Sequence, residues 1–135
     1  MPVQWESRFE TGETRVDDQH RRLFEYVNKL EELIQNGFKP HEFDNIVSFL
    51  SLYVRVHFVC EESCMSIRHC IVAEKNKAAH QKFLDFFEKF KMDYERRGAD
   101  KMMVQDLYNA ASQWLVNHIC RIDVQLREAE GNPVT

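Results

Sequence analysis

The chain has 135 residues, a formal net charge of −4, and Lys and Arg interleaved with Asp and Glu. This is the size of one ordinary domain, and 44% hydrophobic residues suffice for a single core. The mixed charge forms no basic surface, so nucleic acid is not expected as a partner. No uncharged run reaches the roughly 18–20 apolar residues of a membrane span, and the N-terminus lacks a signal peptide's apolar stretch. We therefore expect one cytoplasmic domain without a membrane partner.

Apolar residues recur with a helical period in four segments, after an irregular N-terminal arm. The arm is predicted over residues 1–16 and the helices roughly over 18–36, 40–65, 73–97 and 100–129. Gly37 and Gly98 suit helix ends, Pro40 suits a first helical turn, and Asp17 or Asp18 and Asp100 suit N-caps. Four helices joined by short loops predict an all-α, up-down-up-down antiparallel four-helix bundle within a single domain, 1–135.

His57 and Glu61 are four residues apart on the second predicted helix and therefore share one face, about one turn apart. An imidazole beside a carboxylate suits a divalent transition metal. This spacing alone is weak, because most such pairs on helices are solvated surface neighbours. Whether this pair indicates a metal site depends on which side chains the other helices place at the same level of the bundle.

Three further histidines fall at the same end of the predicted bundle. His20 is near the start of the first helix, His80 near the start of the third and His118 near the end of the fourth. In an antiparallel bundle these positions and the end of the second helix share one level. All of these side chains are expected on inward faces. A metal site is therefore favoured over unrelated core and surface histidines.

Asp123 follows His118 by five residues, which on a regular α-helix is about 140° away from the histidine face. A π-bulge or a tightened final turn would bring both side chains inward, and π-bulges often occur at functional sites. Otherwise Asp123 is a surface carboxylate. The spacing does not decide between these alternatives.

The cysteines do not indicate a disulfide framework or a zinc knuckle. They are Cys60, Cys64, Cys70 and Cys120. Their spacings differ from the CxxC pairs of structural zinc sites, and a reducing cytosol disfavours bridges. They are expected to be small apolar or partly exposed thiols. Cys64 falls on the same helical face as His57 and Glu61.

The ordered set of motifs resembles the hemerythrin pattern, specifically that of the bacterial hemerythrins. It comprises Trp5 and Gly12 in the arm, Asp18-Gln19-His20, His57-Phe58 with Glu61-Glu62, His80, Trp114-Leu115-x-x-His118-Ile119, and Asp123. The resemblance covers nearly the whole chain. It implies a four-helix bundle that encloses a non-haem di-iron site.

Carried over residue by residue, the resemblance implies a ligand set for two iron ions, Fe2+ or Fe3+. Glu61 and Asp123 would bridge the irons, His20 and His57 would serve one, and His80 and His118 would serve the other. A bridging oxo, hydroxo or water group would complete the pair. Dioxygen would bind at an open position on one iron, with Trp114 lining the pocket and limiting access of water.

One position departs from the family pattern. The third helix of the family carries HxxxH, whereas this chain has Asn76 four residues before His80. Asn76 either coordinates weakly through its amide oxygen or leaves a position open to water or an anion. His69, in the loop after the second helix, is expected to be an ordinary loop histidine rather than a replacement ligand. His41 is expected at the surface.

The resemblance implies a dioxygen-binding domain that acts as an oxygen or redox sensor or as a carrier, and that is not itself an enzyme. Members of the family occur joined to signalling outputs, including diguanylate cyclases and chemotaxis receptors, so a covalently linked effector domain is compatible with it. Arg127 and the polar tail over 130–133 suit a linker or a frayed terminus. The alternative function is a di-iron oxidase or peroxidase that uses the open iron position at Asn76. A bundle with zinc, or with histidines that bind nothing, is the remaining alternative.

Overall fold

The computed structural model describes residues 3–129, which form four long helices and three short helical turns. The long helices are α1 (Thr14–Asn36), α2 (Pro40–Ile67), α3 (Ala73–Arg97) and α4 (Lys101–Arg121). The short turns are two 3₁₀ helices, Ser7–Phe9 and Asp123–Gln125, and α5 (Leu126–Ala129). Helices α1 and α3 each pack against both α2 and α4. The predicted all-α, up-down-up-down antiparallel bundle is confirmed, and residues 3–129 contain no strand.

Short connections join the helices, and residues at the helix ends determine their conformation. Gly37 and Gly98 follow the last residues of α1 and α3 with φ values of 77° and 80°, which only glycine adopts readily. Pro40 occupies the first turn of α2, where its missing N–H costs nothing. The Asp100 side chain caps α4 by accepting a hydrogen bond from the Met103 backbone N–H at 2.8 Å. These short loops force neighbouring helices to run antiparallel.

Helix α1 begins at Thr14, earlier than the sequence predicts, so neither Asp17 nor Asp18 is its N-cap. Asp17 lies within the first turn and accepts hydrogen bonds from both the backbone N–H and the hydroxyl of Thr11, each at 2.9 Å. Its carboxylate therefore holds the arm against α1 instead of capping the helix. Val16 is fully buried and starts the apolar stripe of α1, which is why the added turn is stable.

The fourth predicted helix is not continuous over 100–129. Helix α4 ends at Arg121, and Ile122 has a φ of −119°, far from the helical value of about −63°. The Ile122 N–H still donates to the His118 carbonyl at 2.9 Å, after which the chain tightens into the 3₁₀ turn Asp123–Gln125. The tail predicted over 130–133 lies outside the described residues.

The end of the bundle away from the histidines is an aromatic and aliphatic core. Phe43, Phe87, Leu30 and Leu107 are each at most 2% exposed. Phe43 packs edge-on against Tyr94 with ring centroids 5.1 Å apart. Burial of this apolar surface is the main stabilising contribution to the fold.

Helix α2 is the one described helix that is long and apolar enough, by length and composition, to cross a membrane; its most apolar window has a mean hydropathy of 1.2. The inner face of that window supplies the buried side chains of Leu50, Val54 and Phe58 to the bundle. A core helix of a bundle has this composition. Packing accounts for only part of the apolar character of α2, because Leu52, Val56 and Val59 on its outer face are each more than half exposed.

Candidate metal centre

Six side chains named by the sequence lie together at one end of the bundle, and none of them is more than 6% exposed. They are His20 from α1, His57 and Glu61 from α2, His80 from α3, His118 from α4 and Asp123 from the turn after α4. Four helices therefore contribute to one buried polar cluster. Such a cluster is costly without a charge partner, because buried ionisable groups are stable only when they are paired or bind a metal.

Glu61 reaches histidines on both sides of the cluster. Its Oε2 is 3.1 Å from His20 Nε2 and 3.4 Å from His57 Nε2, and its Oε1 is 3.0 Å from His80 Nε2. His118 Nε2 is 3.9 Å from the same Oε1. Each oxygen of this carboxylate thus faces a different pair of imidazoles.

Asp123 spans the same two pairs of histidines. Its Oδ2 is 3.1 Å from His20 Nε2, and its Oδ1 is 3.0 Å from His118 Nε2. Two groups of four result, which share both carboxylates. We call His20, His57, Glu61 and Asp123 the first half-site, and Glu61, His80, His118 and Asp123 the second half-site; in each group the ligand atoms lie within 4.8 Å of one another.

The position of Asp123 settles the alternatives that its spacing left open. Asp123 is 1% exposed, so it is not a surface carboxylate. The chain leaves the α-helix at Ile122 and continues as a 3₁₀ turn, so the tightened turn, and not a π-bulge, brings the carboxylate inward. The break in the fourth helix is thus part of the construction of the site.

The donor atoms fit a metal ion. Among residues 3–129, the buried atoms without a hydrogen-bond partner include Glu61 Oε1, Asp123 Oδ1 and His80 Nε2. Each of these atoms has a close neighbour in the cluster, but the approach lacks the direction of a hydrogen bond. Ligand atoms that converge on one ion have this arrangement. Imidazole and carboxylate donors suit iron, zinc and related divalent ions.

The protein compensates the two buried carboxylates by protonation of histidine. Burial opposes charging of His20, but hydrogen bonds to Asp123 and Glu61 outweigh it and raise the His20 pKa to about 9. Burial likewise opposes ionisation of Glu61, yet the imidazoles of His20, His57 and His80 close to its oxygens hold its pKa well below the usual range. A bound cation would replace these protons, so metal binding has to release them.

Two polar residues that the sequence analysis gave no role contact the outer nitrogens of the histidines. Gln19 Oε1 is 2.7 Å from His57 Nδ1, and Glu62 Oε2 is 2.9 Å from His80 Nδ1. Burial lowers the pKa of His57, whereas at His80 the nearby carboxylates of Glu61 and Glu62 outweigh burial and raise the pKa. In the sequence these contacts are indicated by position, because Gln19 directly precedes the candidate ligand His20 and Glu62 directly follows the candidate ligand Glu61.

Asn76 lies beside the second half-site, in contact with His118, and is fully buried. The His118 Nε2–H donates to Asn76 Oδ1 at 2.7 Å, so the amide oxygen faces the nitrogen that would bind an ion. The Asn76 side-chain nitrogen is among the buried donors without a hydrogen-bond partner in residues 3–129. Asn76 is therefore part of the cluster and not a surface residue that happens to be nearby.

Aromatic rings cover the imidazoles of the second half-site. Trp114 stacks on His118 with ring centroids 4.4 Å apart, and Phe58 stacks on His80 at 3.8 Å. Both aromatic side chains also line a wholly apolar cavity of about 20 Å³ between the cluster and the core. These rings keep water away from one side of the cluster.

The other histidines and the cysteines do not join the cluster. His41 and His69 are exposed, as predicted, and His69 occupies the turn after α2 with a φ of 53°. All four cysteines are free. Cys64 belongs to neither half-site, although it shares a helical face with Glu61; it lines a surface groove beside Gln19.

The fold and this cluster define a cation-binding four-helix bundle, and sequence comparison identifies its family. The hemerythrin HHE cation-binding domain matches residues 11–127, so the chain belongs to the hemerythrin family. The bacteriohemerythrin of Clostridium acetobutylicum is 30% identical over 125 residues, covering 88% of this chain and 94% of that protein. That of Methylococcus capsulatus is 30% identical over 117 residues, covering 87% of each chain. A myohemerythrin of Theromyzon tessulatum is 25% identical over 93% of this chain and 92% of its own length.

Solved structures show the same fold. A crystal structure of wild-type hemerythrin superposes with a TM-score of 0.85 at 28% identity, covering 96% of this chain and 98% of its own. A variant of hemerythrin with a Leu-to-Tyr change superposes equally well, at 27% identity. The predicted membership of the hemerythrin family is confirmed. The assignment of the individual ligands stays a prediction.

Proposed function

We propose that this chain is a dioxygen-binding domain with a non-haem di-iron centre. The observation that carries the proposal is that two groups of histidines share the same two carboxylates, Glu61 and Asp123. Two cations could then lie side by side, each with its own imidazoles, while the shared carboxylates offset their charges. The ligands would be His20 and His57 for one iron, His80 and His118 for the other, and Glu61 and Asp123 for both.

Iron bound in this position would supply the electrons that dioxygen accepts, and the chain supplies the environment. Imidazoles and carboxylates hold both oxidation states of iron. Phe58 and Trp114 exclude water from the side of the second half-site, which limits loss of reduced oxygen species. Asn76 is a weaker donor than imidazole, so one position on the second iron is left to a weak ligand, water or an anion.

The test is the visible absorption of iron-quantified, anaerobically reduced protein while air is admitted and then removed. A charge-transfer band that appears with air and reverses on removal of oxygen is the expected result. Two irons per chain should accompany it. Purified protein without iron, or with zinc that iron cannot replace, would contradict the proposal, because zinc competes well at such donor sets.

A second function, di-iron oxidase or peroxidase, is favoured by one specific observation. The amide oxygen of Asn76 lies 2.7 Å from His118 Nε2, at a position where the hemerythrin pattern that the chain resembles has a histidine. An exchangeable position there would admit peroxide or another small ligand. Sustained turnover of peroxide with a reductant would assign this function, whereas single-turnover oxidation would leave the binding function in place.

We also infer that the domain serves as a cytoplasmic sensor more readily than as a carrier. All four cysteines are free, which suits a reducing compartment. Asp123 sits in the turn that joins α4 to α5, so a change at the centre would be transmitted along the chain toward an effector joined there. Hydrogen exchange over residues 118–129 should differ between the reduced and oxidised proteins. Equal protection in the two states would count against the sensor.

A further inference from the structure

The two half-sites differ in what holds the outer nitrogen of a histidine. In the first half-site, His57 Nδ1 contacts the neutral amide oxygen of Gln19 at 2.7 Å. In the second, His80 Nδ1 contacts the carboxylate oxygen of Glu62 at 2.9 Å. An ionised carboxylate can only accept a hydrogen bond, so His80 Nδ1 must carry the proton and donate it. With a cation bound, the Nε2 of His80, which lies 3.0 Å from Glu61 Oε1, would then present its lone pair to the centre.

The sequence places these two outer partners by the same device. Gln19 directly precedes His20 on α1, and Glu62 directly follows Glu61 on α2. Adjacent residues on a helix point about 100° apart, so each outer partner faces a neighbouring helix while its neighbour in sequence faces the cluster. Gln19 reaches α2 in this way, and Glu62 reaches α3. The two partners are placed in the same way, but Gln19 is neutral and Glu62 is a carboxylate.

That difference in charge changes the donor strength of the two histidines. A hydrogen bond to a carboxylate is roughly twice as strong as one between neutral groups. A carboxylate behind a ligating histidine fixes its tautomer and raises the basicity of the nitrogen that binds the metal. His80 should consequently donate more charge to its metal than His57 does. His80, the stronger donor, lies one helical turn from Asn76, whose amide oxygen is a weak donor.

We propose that Glu62 is a positioning residue which strengthens His80 as a ligand, on the side of the cluster that also holds the weakly donating amide of Asn76. This role rests on the proposed di-iron function. It concerns the second half-site alone, because Glu62 contacts His80 and no histidine of the first half-site among residues 3–129.

The test exchanges charge between the two outer partners without changing shape. Glu62→Gln removes the carboxylate behind His80, and Gln19→Glu places one behind His57. Glu74→Gln is the matched control, because Glu74 is exposed on the first turn of α3 and lies at the same end of the bundle. Iron affinity is measured by anaerobic competition with a chelator, and the reduction potential of the iron pair by redox titration. Circular dichroism checks that each variant is folded.

The expected result is that Glu62→Gln weakens binding of one of the two irons by about 10–100-fold, the usual effect of losing an outer partner. It should also raise the reduction potential, since less charge reaches the ferric state. Gln19→Glu should lower the potential, and Glu74→Gln should change neither quantity. Glu62→Gln with wild-type affinity and potential would overturn the role of Glu62 while leaving the di-iron function intact. Wild-type protein that binds no iron would overturn both.

Discussion

The two half-sites share Glu61 and Asp123, but they take their histidines from different helices and differ in their aromatic neighbours. The first takes His20 and His57 from α1 and α2, and the two rings meet edge-on at 4.5 Å. The second takes its histidines from α3 and α4, and each ring is covered by an aromatic side chain, Phe58 or Trp114. Each half-site therefore has two imidazoles beside the shared carboxylates, and the second adds an aromatic cover and the amide oxygen of Asn76, a weak donor.

This contrast concerns two properties of the centre: how firmly it would retain an ion, and how readily small ligands would exchange there. An amide oxygen beside a bound ion would be displaced more readily than an imidazole, so Asn76 would mark a position that exchanges. The aromatic cover lies on the side where exchange is expected, and there it restricts water. We infer that small ligands would exchange at the second half-site, and that the imidazoles and carboxylates of the first would mainly retain their ion.

The largest effect is expected from Glu61→Ala, because this carboxylate belongs to both half-sites. The variant leaves the histidines without their shared counter-charge. Iron affinity should fall by more than the roughly 10–100-fold that loss of an outer partner causes. Iron content after desalting should drop from two per chain to nearly none, while Glu74→Ala keeps both. Retention of both irons by Glu61→Ala would mean that the carboxylate does not bridge.

Asn76→His tests the asymmetry directly, because it restores an imidazole to the second half-site. The second iron should then resist chelation better by about tenfold or more, the scale on which even outer partners alter metal affinity. The larger ring enters a fully buried position, so overpacking should cost up to about 1–3 kcal/mol of unfolding free energy in the metal-free protein. The measurement is the rate of iron loss to a chelator.

Asn76→Ala is the control for this prediction, since it removes the amide oxygen without adding an imidazole. Its second iron should be lost faster than in the wild type. An Asn76→His variant that loses iron as fast as the wild type would show that residue 76 does not reach the metal.

Trp114→Ala should loosen the second half-site and spare the first. Loss of the ring over His118 should cost about 3 kcal/mol of unfolding free energy, near the lower end for tryptophan because Trp114 is partly exposed. The iron pair should also oxidise irreversibly faster in air as water enters. Trp5→Ala provides the comparison, because Trp5 packs against Phe9 and Phe24 in the arm. Equal oxidation rates in the two variants would remove the protective role of Trp114.

The smallest effect concerns Cys64, which lies in the groove beside Gln19 on the side of the first half-site. Burial, with the neighbouring thiol of Cys60, raises the Cys64 pKa to about 11. At pH 8 its thiolate fraction should be more than about 100-fold smaller than that of an ordinary thiol with a pKa near 8.5. Alkylation followed by peptide mapping should show a rate that still rises above pH 10. A rate that levels off near pH 9.5 would contradict the raised pKa.

Much of the fold and of the site followed from spacing alone. The helical period, the glycines and Pro40 predict four antiparallel helices, and four histidines near the matching helix ends predict one shared level. These are local signals combined with one rule of topology. The close contacts of Glu61 with His20 and His80 agree with that prediction.

The parts that the sequence did not predict depend on tertiary contacts. The spacing of His118 and Asp123 left a tightened final turn as one of several alternatives, and the fold, in which Asp123 meets His20 and His118, selects it. Gln19 and Glu62 are ordinary polar residues of helices until the neighbouring helix supplies a histidine. Helix propensity determines where the helices form. Contacts with neighbouring helices determine where α4 ends and which polar residues contact the outer nitrogens of the histidines.

The most direct test is anomalous diffraction at the iron absorption edge from crystals of iron-loaded protein. Two peaks are expected, one beside His20 and His57 and the other beside His80 and His118, with Glu61 and Asp123 adjacent to both. The peak of the second half-site should weaken first when crystals are soaked in a chelator. A single peak, or peaks away from the shared carboxylates, would contradict a di-iron centre made of two unequal half-sites.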